Sequence, residues 1–135
     1  MAELFTHRIQ VRYAEVDGQG VVFNAHWLTD FDDSCTRFMN SLGLGPEFWI
    51  TEFDVMLVHA ELDWTGPAHF DDWLDITVAP TRLGRTSFDL AYRASVDGRP
   101  ACTATITYVA IVPGTNSSTE LKNPVREALS RRLVG

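Results

Sequence analysis

Asp17 and Asn24 bracket the stretch with the most evident chemical potential, Asp17-Gly18-Gln19-Gly20-Val21-Val22-Phe23-Asn24. It joins an acid, two nearby glycines and the start of a long amphipathic segment. Aspartate as a residue type is ionised near neutrality, so it can attack an electrophilic carbon or activate water. Gly18 and Gly20 let a ligand approach the backbone closely. The first N–H groups of a helix lack intrahelical partners and carry partial positive charge, so they can stabilise a carbonyl oxygen that gains negative charge. An acid beside such amides is the equipment for acyl transfer or hydrolysis without serine or metal. An aspartate before a helix also serves as an ordinary turn or cap residue, and spacing alone leaves both roles open.

The elements that must position this acid read as follows. Phe5, His7, Ile9, Val11 and Tyr13 alternate with polar residues, which predicts a half-buried strand ending at the glycine-containing loop. From Asn24 to Leu42 the period changes: Leu28, Phe31, Cys35, Phe38 and Leu42 form a helical stripe, with Asn24 as the expected N-cap and Gly43, Gly45 and Pro46 as terminators. Asp33 and Arg37 are spaced to pair across one helical turn. Four strands are expected next: Asp54–Trp64, continuous enough to be central; Trp73–Ala79, ending at Pro80; Thr86–Val96; and Ala101–Val112. Asp97-Gly98 forms the hairpin between the last two. A short helix with Asn123 as N-cap and Pro124 at its first helical position closes the chain. The order predicts an α+β fold, an antiparallel sheet of about five strands covered by one long helix, as a single domain over residues 1–135.

The 135 residues carry 11 basic and 18 acidic side chains, a net charge of −7. Such a field repels phosphate backbones and anionic lipid, which argues against nucleic-acid or membrane binding. No apolar run reaches the ~20 residues of a membrane span, and the first residues lack the features of an export signal. Two cysteines without metal or redox spacing fit a reduced, cytoplasmic protein, and Cys35 falls on the core stripe. His59, Glu61 and Asp63 share one face of a strand; with no second ligand cluster, a polar wall at a pocket or subunit contact is the simpler reading than a metal site. The sequence has no GxSxG, GxGxxG or P-loop pattern. Arg126, Arg131 and Arg132 read as a solvated helix face.

The run Val11-Arg12-Tyr13-Ala14-Glu15-Val16-Asp17-Gly18-Gln19-Gly20-Val21-Val22-Phe23-Asn24-Ala25-His26-Trp27-Leu28 resembles the signature of the 4-hydroxybenzoyl-CoA thioesterase-like acyl-CoA thioesterases, which have the hotdog fold. Trp64-Thr65-Gly66-Pro67-Ala68-His69-Phe70-Asp71-Asp72-Trp73-Leu74 resembles the family's Pro-Ala turn, and the element order agrees over nearly the whole chain. The resemblance implies a curved sheet wrapped around the long helix and hydrolysis of a coenzyme A thioester to carboxylate and free coenzyme A. It makes Asp17 the catalytic carboxylate, as nucleophile or as base toward water. The backbone N–H near Asn24 would polarise the thioester carbonyl, and Gly20 would keep the turn tight beneath it.

Tyr13, Phe23, His26 and Trp27 are the candidate substrate contacts, and Trp49 and Trp64 are further aromatics able to shape an acyl pocket. Phe23 and Trp27 stand where the family often has tyrosine, which suggests a more apolar pocket. Arg82 and Arg85, at a turn between strands, are the candidates for coenzyme A phosphates. The substrate brings coenzyme A with it, and no further cofactor or metal is expected. The family also implies a homodimer joined edge to edge, often doubled to a homotetramer. A non-catalytic acyl-CoA sensor and a hotdog hydratase or dehydratase, which would need an Asp–His pair for which His26 is the nearest histidine, are the alternatives.

Overall fold

The computed structural model describes residues 4–45 and 51–134; Pro46 and Trp49 lie outside them. Strand β1 (Phe5–Gln10) leads through a 3-10 turn (Tyr13–Glu15) into helix α1 (His26–Ser41). Strands β2 (Asp54–Trp64), β3 (Trp73–Leu83), β4 (Ser87–Val96) and β5 (Arg99–Ile111) follow, then helix α2 (Asn123–Ser130). The five strands form one antiparallel sheet in the order β1-β3-β4-β5-β2. One face of this curved sheet packs on α1. The α+β arrangement expected from the alternating patterns is therefore present.

Alternation decides which side chains face the helix. Phe88, Leu90, Tyr92 and Ala94 of β4 point inward and are buried, as are Ala104, Ile106 and Tyr108 of β5 and Leu74, Ile76 and Val78 of β3. They meet Phe31, Phe38 and Met39 of α1, with Phe31 stacked on Tyr92 at 5.0 Å between ring centroids. The hairpin at Asp97-Gly98 has positive φ at both residues (50° and 80°), the conformation that matches the twist of the flanking strands. Asp33 and Arg37 pair at 3.6 Å, and Cys35 is buried in the core.

Several boundaries differ from expectation. β1 stops at Gln10, because the backbone of Val11 turns to bond Asp71 and Asp72 (3.0 and 2.8 Å) and Glu15 then captures the Arg12 amide at 2.8 Å. Tyr13 therefore leaves the strand and is 73% exposed. Helix α1 begins at His26 with Ala25 as N-cap, and the Asn24 side chain makes no capping bond. Its buried face is Trp27, Asp30, Phe31, Ser34, Cys35, Phe38 and Met39, whereas Leu28 is 38% exposed. Adjacent helical positions lie about 100° apart, and the larger indole takes the inward one. β3 passes through Pro80, which sits at a register shift where the ladder tolerates a residue lacking N–H. Val112 falls outside β5 and is 44% exposed. The N-cap of α2 is Lys122, not Asn123. β2 is an edge strand in this chain, not a central one, and Met56, Leu57 and Val58 on it are exposed.

Candidate functional site

Asp17 sits at the base of a four-residue turn. Val16 and Val22 form an antiparallel bridge, Asp17 N–H donates to the Val21 carbonyl (2.9 Å), and Gly20 N–H donates to the Asp17 carbonyl (2.9 Å). Gly20 has φ 77°, a conformation that favours glycine, although a Cβ there would meet nothing within 4 Å. Conformation, rather than close approach, is therefore what this position asks of its residue. Asp17 Oδ1 accepts from the Gln19 amide at 2.8 Å, which fixes the carboxylate within its own turn. Its second oxygen has no partner among the described residues, and no cation pairs with it there.

The turn is tied directly to the start of α1. Phe23 N–H donates to the Glu15 carbonyl and His26 N–H to the Phe23 carbonyl, both at 2.9 Å; Val22 N–H reaches the Ala68 carbonyl at 2.8 Å. Among the described residues, the amides of Asn24, Ala25 and Trp27 have no hydrogen-bond acceptor. A half-buried carboxylate with a free oxygen and unfilled amide donors thus share one short segment. That is the pairing needed to attack a carbonyl carbon while stabilising its oxygen.

The other candidate residues divide into three environments. Tyr13 and Phe23 are exposed beside this segment: Tyr13 meets Phe70 edge-on at 5.8 Å, and Phe23 meets His26 at 6.1 Å. Trp27 is 2% exposed and packs on Phe31 at 6.1 Å, so it belongs to the core beneath the segment rather than to an exposed wall. Trp64, 55% exposed, ends β2. Among the described residues His26 hydrogen-bonds neither Asp17 nor Asp30; the Asp–His contacts there are His7–Asp33 and His69–Asp72, both at 3.7 Å.

Arg82 lies near the end of β3 and Arg85 on the connection to β4. Arg82 makes a fork with Asp89 (3.0 and 3.1 Å) and donates to Ser87 Oγ (2.9 Å), and Asp89 also accepts from Thr107 (2.7 Å). Burial works against ionisation of Asp89, but the bonds from Arg82 and Thr107 prevail and hold its carboxyl below the ordinary value. Arg85 makes an exposed pair with Glu120 at 3.1 Å. Arg126 is not a solvated residue of α2: its guanidinium donates to the carbonyls of Gly84 and Arg85 (2.7 and 3.1 Å) and clamps this turn.

Sequence inspection gave no site role to Phe70, Glu15 or Asp30. Phe70 comes to Tyr13 because Val21 bridges His69, a contact between distant segments. Glu15 and Asp30 are both 4% exposed and face each other across the junction of the 3-10 turn and α1. Their sequence signal is the position of Asp30, three residues after Trp27 and four before Ser34, which places it on the buried face once Trp27 is recognised as inward. His59 and Glu61 bond at 3.0 Å on β2, and no group of three or more His, Cys, Asp or Glu side chains is arranged to hold a metal among the described residues. No described helix is long and apolar enough to cross a membrane.

Residues 19–103 match the model of the thioesterase superfamily, a span that begins two residues after Asp17. The chain belongs to this superfamily, has the hotdog fold, and is a hydrolase of thioester bonds of the acyl-CoA thioesterase class. Among individual proteins it is similar to the 1,4-dihydroxy-2-naphthoyl-CoA hydrolase of Synechococcus elongatus, with 30% identity over 132 residues covering 96% of this chain and 93% of the relative. It is also similar to the solved 1,4-dihydroxy-2-naphthoyl-CoA thioesterase from Synechocystis: 26% identity, TM-score 0.84, and coverage of 95% and 96%. A thioesterase-superfamily structure from Jannaschia sp. CCS1 superposes with a TM-score of 0.90 at 19% identity over 98% and 94%, a likeness of fold.

Proposed function

We propose that the chain hydrolyses an aromatic acyl-CoA, of the hydroxynaphthoyl or hydroxybenzoyl type, with Asp17 as the reacting carboxylate. The observation that carries this is the free oxygen of Asp17 on a turn tied to a helix start whose amides at Asn24, Ala25 and Trp27 are unfilled. The thioester carbonyl oxygen accepts from those amides, and the carbonyl carbon faces Asp17. In one route the carboxylate adds to that carbon, the C–S bond breaks, coenzyme A leaves as thiolate and takes a proton, and water cleaves the resulting anhydride. In the other route Asp17 removes a proton from the attacking water. Both end in free acid and thiol; after a single turnover in ¹⁸O-water, label in the Asp17 carboxylate identifies the first route, because it arises only by water attack on the Asp17 carbonyl of the anhydride.

The aromatic preference is supported by the exposed rings of Tyr13, Phe70 and Phe23 around the segment, and by the relative's substrate. Arg85 is the more available cation for coenzyme A phosphate, since its pair with Glu120 is exposed at both ends, whereas Arg82 is held by Asp89 and Ser87. A dimer formed along β2 would cover Met56, Leu57 and Val58 and give that 11-residue strand a second neighbour. It would also make β2 central, which is how its sequence reads. The test is thiol release from aromatic, short-chain and long-chain acyl-CoAs by wild type and Asp17→Asn. Turnover highest on aromatic thioesters and lost in the variant supports the reading. Binding by both proteins with turnover by neither identifies a sensor instead.

A further inference from the structure

We propose that Glu15 and Asp30 hold one proton between them and form a positioning pair that latches the Asp17 turn onto the start of α1. The consequence for catalysis rests on the reading of Asp17 given above; the shared proton does not. Both residues are 4% exposed. Glu15 Oε1 accepts from the Arg12 amide (2.8 Å) and from Arg12 Nε (3.2 Å). Glu15 Oε2 and Asp30 Oδ2, both buried, meet no donor among the described residues. Two ionised carboxylates facing each other there would leave two bare acceptors and a like-charge contact with little solvent to relieve it. One proton turns that contact into an O–H···O⁻ hydrogen bond and satisfies both oxygens.

Arg12 decides where the charge rests. Its two bonds favour the ionised form of Glu15, leaving the proton on Asp30. Burial, then the hydrogen bond and charge of Glu15, push the Asp30 carboxyl up to about 8. Glu15 is disfavoured by burial, yet the bonds from Asp30 and Arg12 bring it below its ordinary value. The surrounding charged groups are Arg12 from the segment after β1, Arg8 from β1 and Asp33 from α1, while β3 contributes uncharged Trp73. With Glu15 and Asp30 they line a cleft of 540 Å³.

The position of the pair gives it a role. Glu15 closes the 3-10 turn two residues before Asp17, and its carbonyl holds the Phe23 amide; Asp30 lies in the opening turns of α1. The latch therefore joins both ends of the segment that carries the acid and the free amides. Because the folded value of Asp30 lies above its ordinary 3.8, the folded state binds more protons between the two. Stability contributed by this proton is lost as pH rises through about 8, and the turn loosens with it.

Infrared difference spectra of the full chain, labelled with ¹³C-carboxyl aspartate, test the proton directly, and kcat and KM against pH test its use. The expected result is a protonated aspartate carboxyl at neutral pH that titrates in the alkaline range and is absent from Asp30→Asn. That variant's amide donates to Glu15 permanently, so the alkaline fall of kcat moves up by about one pH unit or more. Asp30→Leu, which cannot donate, lowers kcat at neutral pH about tenfold with KM little changed. No protonated carboxyl at neutral pH, or an unmoved alkaline limb in folded Asp30→Asn, overturns the proposal. Activity that survives Asp17→Asn while the infrared band persists refutes the role of Asp17 and the latch's catalytic use, and leaves the shared proton standing.

Discussion

Replacing Gly20 with alanine separates conformation from space at the turn that carries Asp17. A Cβ at Gly20 touches nothing within 4 Å, and the same is true at Gly18, so neither substitution is blocked by a neighbour. Of these two glycines, Gly20 alone has positive φ, 77°. Holding alanine in that region costs about 1 kcal/mol, which corresponds to a fall in Tm of about 4 °C for a chain of this size. If the turn instead relaxes, the Gly20 amide leaves the Asp17 carbonyl, the carboxylate shifts, and kcat falls about tenfold or more while KM changes little. Gly18→Ala is expected to stay within about 0.5 kcal/mol of wild type, and Gly20→Asn to lose less than Gly20→Ala, since asparagine tolerates the left-handed region. Thermal unfolding and steady-state thiol release on the three variants are the assays. Equal effects of alanine at positions 18 and 20, or a Gly20→Ala protein unchanged in both Tm and kcat, would refute the reasoning.

Four further substitutions test the packing and the charge pairs. Trp27→Ala removes a 2% exposed indole from the core and is expected to cost about 3–5 kcal/mol in urea unfolding; Phe23→Ala, at an exposed ring, is expected to raise KM for aromatic thioesters with stability nearly unchanged. Asp89→Asn weakens the fork with Arg82, which is itself half-exposed, so a loss of about 1 kcal/mol is expected at neutral pH. The Asp89 carboxyl is held below its ordinary 3.8, so its contribution is present above that value and disappears as pH falls through the folded one; unfolding of both proteins at several acidic pH values checks the sign. Arg85→Met is expected to raise KM for acyl-CoA several-fold at constant kcat and to leave a thioester lacking the nucleotide unaffected; an equal effect on both substrates contradicts a phosphate contact.

The sheet was legible because alternation at Phe88, Leu90, Tyr92 and Ala94 and at Ala104, Ile106 and Tyr108 is enforced by a single buried face, and the turn at Asp97-Gly98 by backbone conformation. Element ends were less legible because tertiary bonds set them. β1 stops where Val11 meets Asp71 and Asp72, and β3 continues through Pro80 because a register shift absorbs it. The stripe of α1 was legible at Phe31, Cys35 and Phe38, which are buried, but not at its first turn, where Trp27 and Leu28 are adjacent and both apolar and packing on Phe31 selects Trp27. The carboxyl pair of Glu15 and Asp30 was not legible, because it joins the 3-10 turn to α1. Phe70 and the Arg126 clamp could not be seen for a different reason, as each joins segments about 40 or more residues apart in sequence. The Asp17 turn was readable because its glycines and acid are local, and the edge position of β2 was not, because its sequence is that of a strand with neighbours on both sides.

The central claim concerns one carboxylate. Asp17→Asn retains the side-chain oxygen that accepts the Gln19 amide, so the turn stays folded while the reacting charge is removed. Free-thiol release from an aromatic acyl-CoA by folded Asp17→Asn is predicted to fall by about 10²–10⁴ in kcat with KM within a few-fold of wild type. Turnover by that variant within about threefold of wild type would contradict the account.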